Sequence, residues 1–365
     1  MRPAFSSTRQ AAAFAGLLLL ILLLPVLFGK TVLPPRPEIY ATTPYGWGCY
    51  PFVRQQIYEE KGDIDIAFVG SSHLWTAIDT PRLQAALSKK LGREASVVTL
   101  GWDWPGFDAL YFITQDLVAK RKVHMLVISE EYSPEWPIPH MAASHWFRFR
   151  ENQEALTGLP LDFQAAYYAD ALRGMPLNIL NRIRPPNLPM VWPPPRNNWE
   201  IYYNDANTER LGSLSVSFGW STGQIMNTNF VKYTPAHDVS PAEVCVYSSE
   251  MKSRFEFTGP FTPSADLYFA KKLAALAQAN GIKLVWLHIP KANEMRAPAV
   301  PERECWPQIL PGDVTLMGIP PAALLVGISD EDAFKLFYNN EHMNKNGQEY
   351  FTRAITPALL QLYAP

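Results

Sequence analysis

Between residues 63 and 131 short β-type runs alternate with amphipathic helical stretches, and this alternation constrains the fold more than any other feature of the chain. "DIDIAFVG" (63–70), "ASVVTLG" (95–101) and "VHMLVISEE" (123–131) are apolar runs of strand length. Between them "TPRLQAALSKKLG" (80–92) and "GFDALYFITQDLVAKR" (106–121) repeat their apolar residues at helical spacing. Thr80 reads as the cap of the first helix, Pro81 as its first turn and Gly92 as its stop. Strands joined through helices by short connections run parallel, with helices covering the sheet.

The alternation resumes near the C-terminus. "SADLYFAKKLAALAQANG" (264–281) reads as a helix, "IKLVWLHIP" (282–290) as a fourth strand and "PAALLVGIS" (321–329) as a candidate fifth. "NKNGQEYFTRAITPALLQLY" closes the chain as a helix. The expected architecture is an α/β three-layer sandwich with a parallel sheet of about five strands. Residues 60–132 and 264–365 build it, and residues 133–263 form an insertion with its own helical pieces. A structureless loop of that size does not suit a compact domain.

The N-terminus carries Arg2 and Arg9 without an acid, followed by eighteen apolar residues from Ala11 to Phe28. That length is at the short end of a membrane span. An uncleaved single-pass anchor (1–30) is the preferred reading, because no small-x-small cleavage site follows; a cleaved signal peptide and a core helix are its rivals. The Pro- and aromatic-rich segment 31–59 then reads as a linker. With the basic flank inside, the main domain would lie outside the cytoplasm, on the periplasmic or extracellular face.

A net charge of −2 carries no global basic field, which argues against a nucleic-acid partner. Cys49, Cys245 and Cys305 have no metal spacing, and the seven histidines include no HExxH, so neither a metal nor a cofactor is expected. In an exported domain one disulfide and one free thiol would be allowed, with the pairing open.

The chemistry-bearing stretch is "FVGSSHLW" (68–75), where the first strand ends on two hydroxyls and a histidine. In an open parallel sheet, ligands bind beyond the carboxyl ends of the strands. A serine there acts either as a turn residue or as a nucleophile, and a nucleophile needs a base within reach. His342, in "FYNNEHMNKNGQEYF" (337–351), precedes the terminal helix and is the candidate base. His73 is expected to point away from the site. His288 reads as a capped edge residue, and Trp102 and Trp104 as core or rim.

Strand-Gly-Ser-Ser near the start and Asn-x-x-His-Met-Asn-x-x-Gly near the end resemble the first and last blocks of the SGNH (GDSL-type) hydrolases. The resemblance covers 60–132 and 264–365 and implies a flavodoxin-like α/β fold. It implies Ser72 as nucleophile, His342 as general base and Asn339 as the residue that orients the imidazole. The oxyanion hole would come from the backbone N–H of Ser72 and of Gly106, with Gly101 as the alternative to Gly106.

Ser71 stands where the family has Asp, and Asn339 where it has an acid. Glu341 or the 330–332 triplet are substitutes for that acid. Glu130 and Glu131 occupy the place of the donor Asn in the third block, and a carboxylate there would repel an oxyanion. The anchor, the "GSS" turn and the long insertion are similar to extracytoplasmic proteins of cell-envelope polymer acylation, of the teichoic-acid D-alanylation and alginate O-acetylation type. That similarity implies a serine acyltransferase or esterase acting on a cell-envelope glycopolymer or acyl donor, beside a membrane-bound O-acyltransferase. The alternative is a catalytically degraded scaffold for such an enzyme or for an export complex.

Overall fold

The computed structural model describes residues 5–42, 50–100, 106–129, 153–183, 263–292 and 342–363, together with 312, 314–319, 324–329, 332–333 and 335–337. The chain divides into two compact units: Met1–Thr43 with Ile138–Asn187, and Pro44–Pro137 with Leu188–Pro365.

The first unit is helical where it is described. α1 (Thr8–Val32) contains the apolar run, and its described side chains Leu17, Leu18, Leu19 and Leu20 are exposed. Among the described residues no helix is long and apolar enough to cross a membrane; the side chains of residue 22 and of residues 24–32 lie outside that set. α2 (Arg36–Thr42) packs on α7 (Leu161–Ile183), burying Tyr40 and Tyr167. The segment expected as an irregular linker is therefore partly helical. Further on, α3 (Tyr50–Arg54), which belongs to the second unit, runs into a π-helical turn at Gln55–Glu59.

The second unit is an α/β domain. Its strands are β1 (Ile64–Val69), β2 (Val97–Leu100), β3 (Val123–Ser129), β4 (Lys283–Leu287) and β5 (Val314–Met317). They form one parallel sheet of five strands in the order β2-β1-β3-β4-β5. β1 is buried along its whole length, as expected of a parallel strand covered on both faces.

Two helical layers cover the sheet, and strand alternation decides what each receives. Ile66, Phe68, Met125, Val127, Val285 and Leu287 face one side, in a core shared with α5 (Thr80–Leu91) and α9 (Lys345–Leu362). On the other side α6 (Phe107–Val118) packs against α8 (Pro263–Ala279), and Phe107 tilts onto Trp286 at 5.4 Å. Between β1 and α5 lies the short α4 (Ser72–Ala77).

Three expectations need correction. Asp79, not Thr80, caps α5: its Oδ1 accepts from the Arg82 N–H at 3.1 Å, and Thr80 instead pairs with Thr99 at 3.2 Å. A carboxylate also suits the positive end of a helix. The fifth strand is Val314–Met317; the described part of 321–329 turns instead, with Gly327 at φ +77° breaking extension. His288 is not at an edge, because β5 pairs outside β4 and the His288 N–H donates to Met317 O at 2.7 Å.

α9 is held at both ends. At its C-terminus Lys90 Nζ donates to the carbonyls of Leu360 and Tyr363, a cation where the helix dipole is negative. Tyr363 Oη donates to Asp65 Oδ1 at 2.5 Å, and Arg93 meets the same carboxylate with two nitrogens at 2.6 and 2.9 Å. Burial alone would raise the Asp65 pKa, but these hydrogen bonds and that of the Ser96 N–H override it and hold it at about 2.

Candidate active site

The order 2-1-3-4-5 has its topological switch between β1 and β3, where doubly wound sheets open a crevice beyond their carboxyl ends. Gly70 leaves β1 at that point. Ser71 then caps α4, its Oγ accepting from the His73 N–H at 3.2 Å, and Ser72 becomes the first helical residue. The two adjacent serines thus divide their work: Ser71 serves the backbone, and the Ser72 side chain is left for another partner.

That partner is His342. Ser72 Oγ and His342 Nε2 are 2.9 Å apart across 270 residues of sequence, and both side chains are buried. In the tautomer carrying its proton on Nδ1, Nε2 accepts from the Ser72 hydroxyl, as a nucleophile–base pair requires.

The residues after His342 explain how it is held. Asn344 caps α9, its Oδ1 accepting from the N–H groups of Asn346 and Gly347 at 3.0 and 3.1 Å. Its Nδ2 donates to Lys335 O at 2.6 Å, and its own N–H donates to Leu336 O at 2.9 Å. A Cβ on Gly347 would lie 2.0 Å from Leu336 O. The His-Met-Asn-x-x-Gly pattern is therefore a clamp between the start of α9 and the 335–337 turn, with Phe337 bridging Met343.

Burial lowers the His342 pKa, and the Lys291 ammonium adds to the effect, bringing it to about 3. The imidazole is neutral and free of competing protonation at neutral pH. The same surroundings oppose formation of its imidazolium.

His73 departs from expectation. Its ring stands edge-on to that of His342 with centroids 6.3 Å apart, and it is buried. Gly106 caps α6 with extended backbone, and because β2 neighbours β1, the starts of α4 and α6 lie at the same end of the sheet. Asp332 accepts from Ser329 Oγ at 3.0 Å and from Lys335 Nζ at 2.8 Å. Asn339, Glu341, Glu130, Glu131, Gly101, Trp102, Trp104 and the three cysteines lie outside the described residues. Among the described residues no group of three potential metal ligands clusters. No family model matches the chain, and no curated protein matches it.

Sequence reasoning missed Lys291, whose signal was a lone cation just past the carboxyl end of β4. It also missed Gln348 and Thr352. With Asn344 they recur every four residues, a polar stripe down one face of the terminal helix.

Proposed function

We propose that the α/β unit is an SGNH-type serine acyltransferase or esterase acting on O-acyl groups of a cell-envelope glycopolymer, with Asn339 holding the imidazole of His342. The observation that carries this reading is the buried 2.9 Å pair of Ser72 Oγ and His342 Nε2 at the switch point of the sheet. The eighteen-residue apolar run inside α1 supports a single-pass anchor with this unit outside the cytoplasm.

In this reading Ser72 Oγ attacks the acyl carbonyl as its proton moves to His342 Nε2. The tetrahedral oxyanion is held by the N–H groups of Ser72 and Gly106. The ester C–O bond then breaks, and the leaving alkoxide takes the proton from His342. A sugar hydroxyl, or water, gives its proton to His342 and attacks the acyl-serine; the bond from the acyl carbon to Ser72 Oγ then breaks, and His342 returns the proton to Oγ. A membrane-bound O-acyltransferase is the partner that would supply the acyl group.

The test is labelling of the full-length protein with a fluorophosphonate, with the adduct located by mass spectrometry. Modification of Ser72 that vanishes in His342→Ala supports the reading; an unmodified Ser72 beside a reactive control hydrolase overturns it.

One observation favours a second reading, a catalytically degraded scaffold for the acyltransferase or an export complex. Burial and Lys291 both oppose the imidazolium that catalysis must form at His342. Normal polymer acylation in a Ser72→Ala strain, lost on deletion of 140–230, supports the scaffold.

A further inference from the structure

We infer that Gln348 and Thr352 are positioning residues that fix the helix bearing Ser72 against the helix that follows His342, an assignment resting on the nucleophile–base reading above. α4 has six residues, too few to be stable alone, and its C-terminal carbonyls need donors from elsewhere. α9 supplies them. Gln348 Nε2 donates to Trp75 O and to Ile78 O, each at 3.1 Å. Thr352 Oγ1 donates to Ala77 O at 3.1 Å and accepts from the Asp79 N–H at 2.8 Å.

Both side chains are fully buried. Because both partners of Gln348 are acceptors, only its amide nitrogen can face them. The opposite atom, Oε1, is buried and finds no donor among the described residues. A buried unsatisfied carbonyl is costly, so the site keeps an amide here for its two donors, which neither a carboxylate nor an apolar side chain can replace.

The consequence reaches the pair directly. His342 enters α9 through the Asn344 cap, and the Gln348 N–H donates to Asn344 O at 2.8 Å within the first turn. One helix thus starts just after the base and, one and two turns on from its cap, grips the helix that begins with the nucleophile. The Ser72–His342 distance is set by this docking rather than by either loop alone.

The test uses the full-length chain in detergent micelles and two readouts: the NMR titration midpoint of the His342 imidazole, and the rate of fluorophosphonate labelling at Ser72. In Gln348→Met the midpoint is expected to rise from about 3 toward the ordinary imidazole range, as His342 loosens from its buried site beside Lys291 and His73. The labelling rate is expected to fall by roughly tenfold to a hundredfold, as small misplacements of reacting groups do. Thr352→Val should move both in the same direction by less, and serves alone if Gln348→Met fails to fold. Tyr350→Phe is the control, since it removes a buried hydrogen bond of α9 to Leu324 O, away from α4.

An unchanged midpoint and rate in Gln348→Met and Thr352→Val, or an equal change in Tyr350→Phe, overturns the inference. If Ser72 of the wild type is never labelled, yet the midpoint moves in Gln348→Met and not in Tyr350→Phe, the positioning role stands and the nucleophile reading falls.

Discussion

Gly70 and Ser129 approach so closely at the carboxyl ends of β1 and β3 that a Cβ on Gly70 would lie 2.2 Å from Ser129 Oγ. They stand one step beyond the paired residues Val69 and Ile128, at the point where the chain turns toward Ser72. The glycine is therefore fixed by contact with the neighbouring strand, independently of any chemistry at the serines. Gly70→Ala should destabilise the α/β unit by about 1–3 kcal/mol, the usual cost of overpacking, and slow labelling of Ser72. Adding Ser129→Ala should recover part of both, because the next neighbour is the movable end of Leu74 at 2.8 Å. Thermal unfolding of the two variants checks it; equal melting temperatures would count against the contact.

Asn344→Ala should lower stability by about 1 kcal/mol, the ordinary cost of a lost N-cap. Labelling of Ser72 should fall further than that loss accounts for, since the same side chain ties His342 to the 335–337 turn. Gly347→Ala meets backbone at Leu336 O and should do more damage. Labelling rates compared at equal fraction folded separate the two effects.

The Asp65 cluster sets an acid limit. Its carboxyl titrates near 2 in the folded protein against 3.8 in the unfolded chain. The unfolded state therefore takes up the proton first, and the stabilisation of roughly 2 kcal/mol, whole above about pH 4, is lost as pH falls toward 2. Asp65→Asn should flatten this slope between pH 4 and 2 in denaturant titrations. A slope identical to wild type refutes the assignment.

His342 acts in a higher window. Neutral when folded and ordinary when unfolded, it lets the unfolded state bind the extra proton between pH 6.5 and about 3. Stability should rise with pH across that interval and level off above it. In His342→Asn the dependence should weaken, which urea midpoints measured at pH 7, 5 and 4 would reveal.

The sheet was legible in the sequence because its strands are apolar runs bounded by turn residues, and four of them fall where the pattern put them. β5 was not, since Val-Thr-Leu-Met is too short to stand out, whereas the longer apolar run at 321–329 is interrupted by Gly327. Ser72 and His342 were legible because each sits at an element boundary with a recognisable neighbour pattern. The His73 ring was misjudged, since it comes to the site by standing edge-on to the His342 ring rather than by following the Ser72 side chain. Gln348 and Thr352 escaped notice because polar residues on a helix usually face water, and only the packing of α4 turns this stripe inward.

The 270-residue separation of Ser72 from His342 also bears on the order of assembly. β1 and α4 leave the ribosome early, but the base, the grip of Gln348 and Thr352, and the Tyr363 contact to Asp65 all belong to residues 342–363, made much later. Until residues 342–352 have been made, α4 lacks the donors of α9 and Ser72 has no base. The serine stays unactivated until then, and any premature stop before His342 yields a product without the pair.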